Sequence, residues 1–358
     1  MNFIGSKILE TDRLVLKPSS MKEQKRLYEI LMIPEVNKWY LTSSKKNKDN
    51  KEHWLWEKQE KYYQMKVNNA LNNDVFCWSI FIKDADVVIG QISCQELNED
   101  KAIRDIGWFI DPVYQRKGYA YEAARKVIDY MFNEVKIKAI SSSCVKDNIG
   151  SAKLFEKLNF IKIKEEVKSS PYTFYDGELL FSFYELYNVD EEFFNDDNLK
   201  YTDIDETVIR VKAIIMNDHN EILLGHSYTT YQFPGGHLEK NESLTYALSR
   251  ELKEELGIDI NLDDKIPFFR VRYYSKNYRN TNLNRHNIIY YFYINTDLNY
   301  NMENSNLDSG ERLGNYKPVI IDFNLLDEVL EKSIELDPIN ETIVKEMTLA
   351  LNKLKEIK

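Results

Sequence analysis

Three glutamates in the second half of the chain have the spacing of a metal site. Glu251, Glu254 and Glu255 stand at i, i+3 and i+4, so on a helix their carboxylates lie on one face. Like charges at these spacings repel each other, and a divalent cation would relieve that repulsion. Carboxylate oxygens suit Mg²⁺ or Mn²⁺, which keep several waters and recruit substrate phosphates as further ligands. The spacing predicts a metal-binding face, and a solvated acidic helix is the alternative interpretation.

These glutamates belong to a longer pattern over residues 236–258. The segment reads GHLEKNESLTYALSRELKEELGI and matches G-x5-E-x7-R-E-U-x-E-E-x-G-U, with U aliphatic, at every fixed position. Arg250 can pair with Glu242 and hold the preceding loop against the helix. Gly257 suits a left-handed residue that ends the helix. A chance match to so many fixed identities is improbable, and this favours a functional site.

A second constellation lies in the first half, where a strand-like run passes into a helix-like run. Its residues are Gln115, Arg116, Lys117, Gly118, Tyr119 and Ala120. A glycine-bearing turn from strand to helix leaves backbone N–H groups that point at one spot, and the helix dipole adds positive potential. Arg116 and Lys117 add two cationic groups, so the turn predicts a pyrophosphate site. An ordinary helix start beside basic residues is the alternative.

The flanking sequence predicts the elements that must position these residues. Before the turn, β-rich runs at 76–82, 87–94 and 103–110 indicate an antiparallel meander. After it, apolar residues recur at helical spacing from residue 120, and a strand over 137–144 and a helix over 148–158 follow. The turn is therefore expected to join the last strand of the meander to a helix.

Length and composition restrict the class of protein. A chain of 358 residues is too long for one ordinary domain, and 43% hydrophobic with 30% charged residues argues against disorder. Three cysteines without a Cys-x-x-Cys pair indicate buried thiols in a reducing compartment. No apolar run approaches the ~18 to 20 residues that span a bilayer, and no apolar signal core is seen at the start. We expect a soluble, cytoplasmic protein that binds no membrane.

The net charge of −10 is unevenly distributed and speaks against binding of a nucleic-acid polymer. Residues 1–190 carry 29 Lys and Arg against 28 Asp and Glu, a net of 29 − 28 = +1. Residues 191–358 carry 19 against 30, a net of 19 − 30 = −11. The segment over 188–206 is dense in Asp, Asn and Glu and has no apolar period. It predicts a linker over 189–205 between two domains.

The glycine-bearing turn in the first half of the chain resembles a known family. Residues Gln115 to Ala120 resemble the Gln/Arg-x-x-Gly-x-Gly/Ala signature of the GNAT acyltransferases, whose turn binds the pyrophosphate of acetyl-CoA. The segment DNIGSAKLFEKLNF resembles the second signature of that family, which implies that Asn148 and Ser151 lie along the pantetheine arm. The opening ETDRLVLKP is similar to the RimJ/RimL-like branch. The resemblance implies a GNAT N-acetyltransferase domain over 7–188, with a mixed, mostly antiparallel sheet flanked by helices.

Two positions depart from that family. Phe155 stands where many GNAT enzymes carry a catalytic tyrosine, and Asn159 replaces the usual glycine before the closing Phe. A phenyl ring donates no proton, so a general acid must come from elsewhere or water must protonate the leaving thiolate. Asp105 matches a position that is often acidic in this branch and is the candidate general base. A structural carboxylate paired with a nearby Arg or Lys is the alternative for Asp105.

The glutamate pattern is the Nudix box, so residues 206–350 resemble a Nudix hydrolase with an α/β/α sandwich. The resemblance implies metal binding by Glu251, Glu254, Glu255 and the backbone carbonyl of Gly236. It also implies attack of a metal-positioned water on a phosphorus atom of a nucleoside diphosphate that is linked to another moiety. Glu254 or Glu255 is the candidate base, although some relatives take the base from a loop.

A basic segment follows the box. Six basic residues stand between 261 and 290 against Asp263 and Asp264, namely Lys265, Arg270, Arg272, Lys276, Arg279 and Arg285. Such a patch beside a metal would suit further substrate phosphates, and a basic hairpin with a structural role is the alternative. His286 and the tyrosines at 273, 274 and 278 could stack on a base or pack in the fold.

The sequence as a whole predicts a two-domain α+β and α/β chain with two activities. One is an acetyl-CoA-dependent N-acetyltransferase, with a small-molecule or peptide amine as substrate. The other is a hydrolase that uses Mg²⁺ or Mn²⁺ and takes a nucleotide substrate. The alternative is a Nudix hydrolase whose GNAT-like domain only binds acetyl-CoA or a regulatory ligand. The acyl acceptor, the nucleotide, the oligomeric state and the reason for the fusion stay open.

Overall fold

The structure is a computed structural model. It describes residues 1–40, 55–70, 72–96, 102–169, 178–263, 265–278 and 281–358. Within them the chain divides into two compact units, Met1–Asn188 and Val189–Lys358. No helix in these ranges is long and apolar enough to cross a membrane.

The first unit is built around a mixed sheet. Its described strands are β1 (Leu9–Glu10), β2 (Leu14–Lys17), β3 (Phe76–Ile82), β4 (Val87–Glu96), β5 (Ile103–Ile110), β6 (Ala139–Val145), β7 (Ile161–Ser169) and β8 (Glu178–Tyr187). They lie in the order β1-β2-β3-β4-β5-β6-β8-β7. The helices are α1 (Met21–Leu31), α2 (Pro34–Tyr40), α3 (Trp56–Asn69), α4 (Tyr119–Tyr130) and α5 (Ile149–Lys157). The predicted meander is confirmed, because β3, β4 and β5 pair antiparallel in sequence order.

Alternating side chains give this sheet an apolar core on each face. On β5, Ile106 and Ile110 join one core with Ala123 and Val127 of α4. Phe109, which points to the other face, joins a smaller core with residues of α1. The period of two along β5 and the helical period along α4 therefore produce the expected sheet with helices on both sides.

Strands β5 and β6 run parallel but stay together over only part of their length. Ile103 to Asp105 pair with Ala139 to Ser141, and beyond these residues no pairing between the two strands is found in the described chain. The Ser142 hydroxyl donates to the Ile106 carbonyl at 2.7 Å, immediately past the last pair. The strands therefore form a V whose closed end lies at Asp105 and Ser141, and whose open end leads into α4 and α5.

The second unit holds another mixed sheet. Its described strands are β9 (Asp190–Phe194), β10 (Glu206–Met216), β11 (Glu221–Ser227), β12 (Thr230–Gln232), β13 (Phe269–Ser275), β14 (Arg285–Asn295) and β15 (Lys317–Asp322). Their order is β12-β11-β10-β14-β13-β9, and β15 pairs with β11. The helices are α6 (Leu244–Leu256), α7 (Ser309–Leu313), α8 (Leu326–Leu336) and α9 (Glu341–Ile357).

Helices pack on this second sheet as the predicted layered architecture requires. Ile214 and Met216 of β10 share an apolar core with Leu330 of α8 and Met347 of α9. Helix α6 also packs against β10, and its Leu248 and Leu252 are fully buried. The amphipathic period of α6 thus buries its leucines and leaves its glutamates at the border of the core.

The segment over 189–205 differs from the expected linker. Its first residues form β9, which pairs parallel with β13. Phe194 stacks on Tyr273 with ring centroids 4.7 Å apart, and Glu191 pairs with Arg270 and Arg272. The partners lie about 80 positions further along the chain, which is why a local search for apolar periodicity misses this strand.

Candidate functional sites

The turn between β5 and α4 has the backbone of an anion site. Arg116 and Gly118 adopt φ values of +59° and +84°, and Gly118 caps α4 in the left-handed region. The first hydrogen bond of the helix runs from the Glu122 N–H to the Gly118 carbonyl at 3.1 Å. The N–H groups of residues 119–121 precede that bond, so they are available to a ligand at the helix start. Residues 115–118 are exposed, as an anion site requires.

Contacts from neighbouring elements hold this turn in place. The Gln115 side chain donates to the Ile110 carbonyl at 2.8 Å, and the Arg13 guanidinium donates to the Lys117 carbonyl at 3.0 Å. Arg13 also pairs with Glu122 at 2.6 Å and lies over the Tyr119 ring. Gln115 thus stabilises the conformation of the turn, while the charged side chains of Arg116 and Lys117 stay exposed at the surface. Sequence reasoning missed Arg13, which is about 100 residues away.

The second predicted signature lies at the open end of the V. Asn148 caps α5, and its side-chain oxygen accepts the Ser151 N–H at 3.2 Å. Both α4 and α5 therefore begin where β5 and β6 have separated. The structure brings the predicted phosphate turn and the predicted pantetheine residues to the same end of the two strands.

Asp105 lies at the closed end of the V. Burial raises the pKa of its carboxyl to about 6, and no hydrogen bond to this side chain is found among the described residues. Asp105 also has no salt-bridge partner among the residues that the structure describes, which argues against the structural alternative. Phe155 is a core residue, 2% exposed, and its ring stacks on Tyr184 with centroids 4.6 Å apart. The residue at the position of the usual tyrosine therefore packs in the core.

In the second unit, Arg250 organises the predicted metal face. Its Nε donates to Glu242 at 2.9 Å, and its Nη1 donates to Glu251 at 3.0 Å and to Glu254 at 3.1 Å. A further bond reaches the His237 carbonyl at 3.0 Å. The guanidinium thus ties the loop before α6 to the helix, as the sequence predicts, and it also neutralises two of the three glutamates.

Glu255 has a different environment from its two neighbours. It is 2% exposed and accepts the Gly235 N–H at 2.8 Å. Burial, and to a smaller extent the nearby Glu311, raises the pKa of Glu255, while the Lys212 ammonium opposes that shift. The Lys212 side chain is itself buried and donates to the Gly235 carbonyl at 2.6 Å. Gly235 therefore lies between a buried carboxylate and a buried ammonium.

The side chains that could hold a metal all offer oxygen, which suits a hard cation. Gly236 also leaves space for them, because a Cβ there would lie 2.5 Å from the Glu251 carboxylate. Among the described residues, however, no three His, Cys, Asp or Glu side chains are close enough to form a ready metal cage. Arg250 and the Gly235 N–H hold the carboxylates instead. The Gly236 carbonyl, a predicted ligand, accepts the Val211 N–H at 2.9 Å, whereas the Gly235 carbonyl faces Lys212.

The segment after β14 completes this region. The Asn301 N–H donates to the Leu256 carbonyl at 2.9 Å and the Asn306 N–H to the Glu254 carbonyl at 2.8 Å, so the segment docks on the end of α6. An open, shallow cavity of about 630 Å³ lies here. It is lined by Glu254, Asn306, Leu307, Asp308, Ser309, Arg312 and Leu313. Glu254 is the one predicted metal residue that borders this cavity in the described chain.

Models of two protein families match the chain over these two sites. An acetyltransferase (GNAT) domain matches residues 13–161, and a NUDIX domain matches residues 206–326. The chain is a GNAT acetyltransferase domain followed by a NUDIX hydrolase domain. The first match covers the V of β5 and β6, and the second covers the glutamates of α6.

Similar proteins are found for each domain. The GNAT domain is 27% identical over 150 residues to the uncharacterized N-acetyltransferase YnaD of Bacillus subtilis, covering 42% of this chain and 80% of that protein. The NUDIX domain is 38% identical over 64 residues to the 8-oxo-dGTP diphosphatase of Proteus vulgaris, covering 16% of this chain and 57% of that protein. A GNAT-family acetyltransferase structure from Bacillus anthracis aligns with a TM-score of 0.43 and 20% identity, covering 51% of this chain and 99% of the other.

In the NUDIX domain, sequence reasoning missed residues that come from outside the box. Glu311 of α7 lies beside Glu255, and burial together with Glu255 and Glu311 raises the pKa of Tyr316. Lys212 comes from β10, before the box. A carboxylate in a turn or a lysine in a strand carries no local pattern, so only the fold reveals these neighbours.

The basic segment of the NUDIX domain is largely neutralised. Arg270 and Arg272 pair with Glu191, and Arg285 pairs with Glu206 at 2.6 Å. His286 is buried, its pKa is lowered to about 4 by burial and by the two neighbouring arginines, and its ring packs on Tyr274. These contacts favour the structural interpretation. Arg279 and Asp264 lie outside the described residues.

Proposed function

We propose that the chain is a bifunctional enzyme. Its GNAT domain transfers the acetyl group of acetyl-CoA to an amine, and its NUDIX domain hydrolyses a nucleoside diphosphate linked to another moiety with the help of Mg²⁺ or Mn²⁺. The observation that carries the first activity is the V of β5 and β6 with a phosphate turn at its open end and Asp105 at its closed end. The cavity beside Glu254 carries the second.

In the acetyl transfer, the turn binds the pyrophosphate of acetyl-CoA. The N–H groups at the start of α4 donate to its oxygens, and Arg116 and Lys117 supply positive charge. The V takes the pantetheine arm, near Asn148 and Ser151. The amine nitrogen forms a bond to the acetyl carbon, the carbon–sulfur bond breaks, and the thiolate leaves with the electron pair. Asp105 accepts the proton that the amine loses, and water protonates the thiolate.

In the hydrolysis, Glu251, Glu254 and Glu255 would hold the cation together with a backbone carbonyl of Gly235 or Gly236. The cation, when bound, polarises the phosphoryl oxygens and lowers the pKa of water. Glu254 is the first candidate for the base, because its side chain is 38% exposed and borders the cavity. Glu255 is 2% exposed and positions Gly235 through its N–H.

The relatives suggest the first nucleotide to try. The protein that the NUDIX domain resembles at 38% identity is named 8-oxo-dGTP diphosphatase. The cavity volume of about 630 Å³ lies in the range of small-ligand sites. We therefore propose a purine nucleoside triphosphate, with an oxidised or an ordinary base, as the leading substrate.

Both activities are tested on one preparation of the full chain. Nucleotides are supplied with Mg²⁺ or Mn²⁺, amines are supplied with acetyl-CoA, and release of nucleotide product and of free thiol is measured. Glu254→Gln and Glu255→Gln should each abolish most of the hydrolysis and leave thiol release intact. Glu335→Gln, an exposed glutamate of α8, is the control and should change neither activity. Hydrolysis at the wild-type rate in both box variants would refute the role of the glutamate face.

A further inference from the structure

A row of polar side chains crosses the sheet at the closed end of the V. The strand registers align Asp105 of β5 with Ser141 of β6, and Ser141 with Glu185 of β8. Residues that are paired across strands point to the same face of a sheet, so these three side chains are neighbours on one face. With strands ~4.8 Å apart, the two carboxylate-bearing residues are separated by about 10 Å. We call Asp105, Ser141 and Glu185 the acidic row.

The acidic row is unusually short of partners. The Ser141 hydroxyl oxygen is buried and has no hydrogen-bond partner in the described part of the chain. A buried hydroxyl without a partner is costly, which indicates a group that a ligand completes. Burial raises the pKa of both Asp105 and Glu185. Glu185 accepts a hydrogen bond from the Tyr187 hydroxyl, which leaves further acceptor capacity on the carboxylate.

In the described part of the chain, no cation forms an ion pair with the acidic row. Lys164 of β7 is the basic group whose charge acts on Glu185, and its Nζ bonds Glu166 at 2.8 Å and lies over the Phe183 ring. Gln95, the cross-strand neighbour of Asp105 on β4, is uncharged. The row therefore keeps two carboxyl groups and one hydroxyl directed to the same face beside the reacting end of the V.

We propose that the acyl acceptor is a small aliphatic amine that carries a second positive charge, such as a diamine or a polyamine. This proposal rests on the acetyl transfer proposed above. The reacting amine lies at Asp105, and the second ammonium lies at Glu185, with the Ser141 hydroxyl as a hydrogen-bond partner between them. The second ammonium of the acceptor stabilises the ionised form of the Glu185 carboxyl group through a charge-assisted hydrogen bond.

The proposal is tested by comparing acceptors with one and with two charges. The full chain is given acetyl-CoA and either n-butylamine, 1,4-diaminobutane or spermidine, and kcat/KM is measured for each. A charge-assisted hydrogen bond predicts that the doubly charged amines are preferred by about tenfold or more. Glu185→Gln should lower kcat/KM for spermidine at least about tenfold more than for butylamine. Glu185→Asp keeps the charge and should restore part of the preference.

Matched controls separate this role from a structural one. Glu178→Gln replaces an exposed glutamate on the same strand and should leave the preference unchanged. Thermal unfolding of each variant checks that the domain stays folded. The preference in the wild-type chain tests the acidic row even if Glu185→Gln does not fold. Equal kcat/KM for the three amines, an equal fall for all of them in Glu185→Gln, or faster acetylation of a peptide amino terminus would overturn the proposal.

A binding measurement distinguishes failure of the acidic row from failure of the acetyl transfer. Spermidine is titrated into the full chain with CoA present, and its heat of binding is recorded. Loss of acetylation with all amines would refute the proposed transfer, while spermidine binding that weakens about tenfold in Glu185→Gln would still support the row. No binding of spermidine, or equal binding by the wild type and Glu185→Gln, would overturn it.

Discussion

Arg250 offers the most direct test of how the NUDIX site is held together without its metal. Its side chain is 19% exposed, and its partners Glu242 and Glu251 are 9% and 13% exposed. Arg250→Met keeps the aliphatic stem and removes five hydrogen bonds, four of them to carboxylate oxygens. Removing one partner of a buried ion pair costs about 3 to 5 kcal/mol, because the remaining charges stay buried without compensation. We expect the NUDIX domain to lose about that much free energy of unfolding at neutral pH.

The matched control lies on the same helix. Lys253 pairs with Asp259 at 3.0 Å, but the two side chains are 59% and 85% exposed. Lys253→Met should therefore cost no more than about 0.5 kcal/mol, as for other solvated pairs. An excess of Mn²⁺ should recover part of the loss in Arg250→Met, since a bound cation replaces the missing positive charge on Glu251 and Glu254.

The assay must report on the second domain alone, because a two-domain chain need not unfold in one step. The five tryptophans, at positions 39, 54, 56, 78 and 108, all lie in the first half, so their fluorescence follows the GNAT domain. Hydrogen exchange of the α6 amides follows the NUDIX domain. If Arg250→Met accelerates this exchange no more than Lys253→Met does, the guanidinium is not what holds the carboxylates, and the reasoning fails.

Four further predictions concern individual residues. Gly118→Glu should weaken acetyl-CoA binding in calorimetry by more than about tenfold, since it adds strain and a negative charge at the phosphate turn. The control Gly150→Ala should leave the affinity unchanged, because a Cβ there meets nothing closer than 3.7 Å. Unchanged affinity in Gly118→Glu would refute the assignment of the turn as the phosphate site. Acetyl transfer should fall as the pH drops through about 6, because Asp105 must be ionised to accept a proton, and a flat profile there would exclude it as the base. Because burial raises the pKa of Asp105, its ionised form lowers the stability of the domain as the pH rises through about 6. Asp105→Asn should therefore stabilise the GNAT domain by about 1 to 3 kcal/mol at pH 7. A lower free energy of unfolding in urea for this variant would contradict the assignment of Asp105 as a buried carboxylate with a raised pKa. Glu311→Gln should weaken Mn²⁺ binding to the NUDIX domain in calorimetry, because it removes a carboxylate beside Glu255, and equal affinity would place Glu311 outside the site.

The sequence predicted the features that depend on short-range spacing. The three glutamates on α6, the Arg250–Glu242 pair and the left-handed Gly257 were all confirmed, since helix geometry relates residues that are close in the chain. The strands from β3 to β5 were confirmed for the same reason, because their alternation and turns are local. Roles for the predicted ligands and bases stay predictions.

Features that depend on long-range pairing were not predicted. Lys212 and Glu311 stand 43 and 56 positions away from Glu255, and neither has a sequence pattern that marks it. The carbonyl of Gly235 faces Lys212 because residues 234–238 run beside β10, which no local period indicates. The acidic row likewise exists only once the registers of three strands are known. Contacts of this kind are set by the tertiary fold.

The strand at the start of the second unit has a practical consequence for dissecting the protein. A fragment that begins at Glu206, where the NUDIX match begins, would lack β9. Its β13 would then become an open sheet edge, and such edges pair with other chains and aggregate. Arg270 and Arg272 would lose Glu191, and Tyr273 would lose its stacking partner Phe194. The smallest autonomous hydrolase unit should therefore start before Asp190. Because β8 of the first domain ends at Tyr187, almost no linker remains between the two domains.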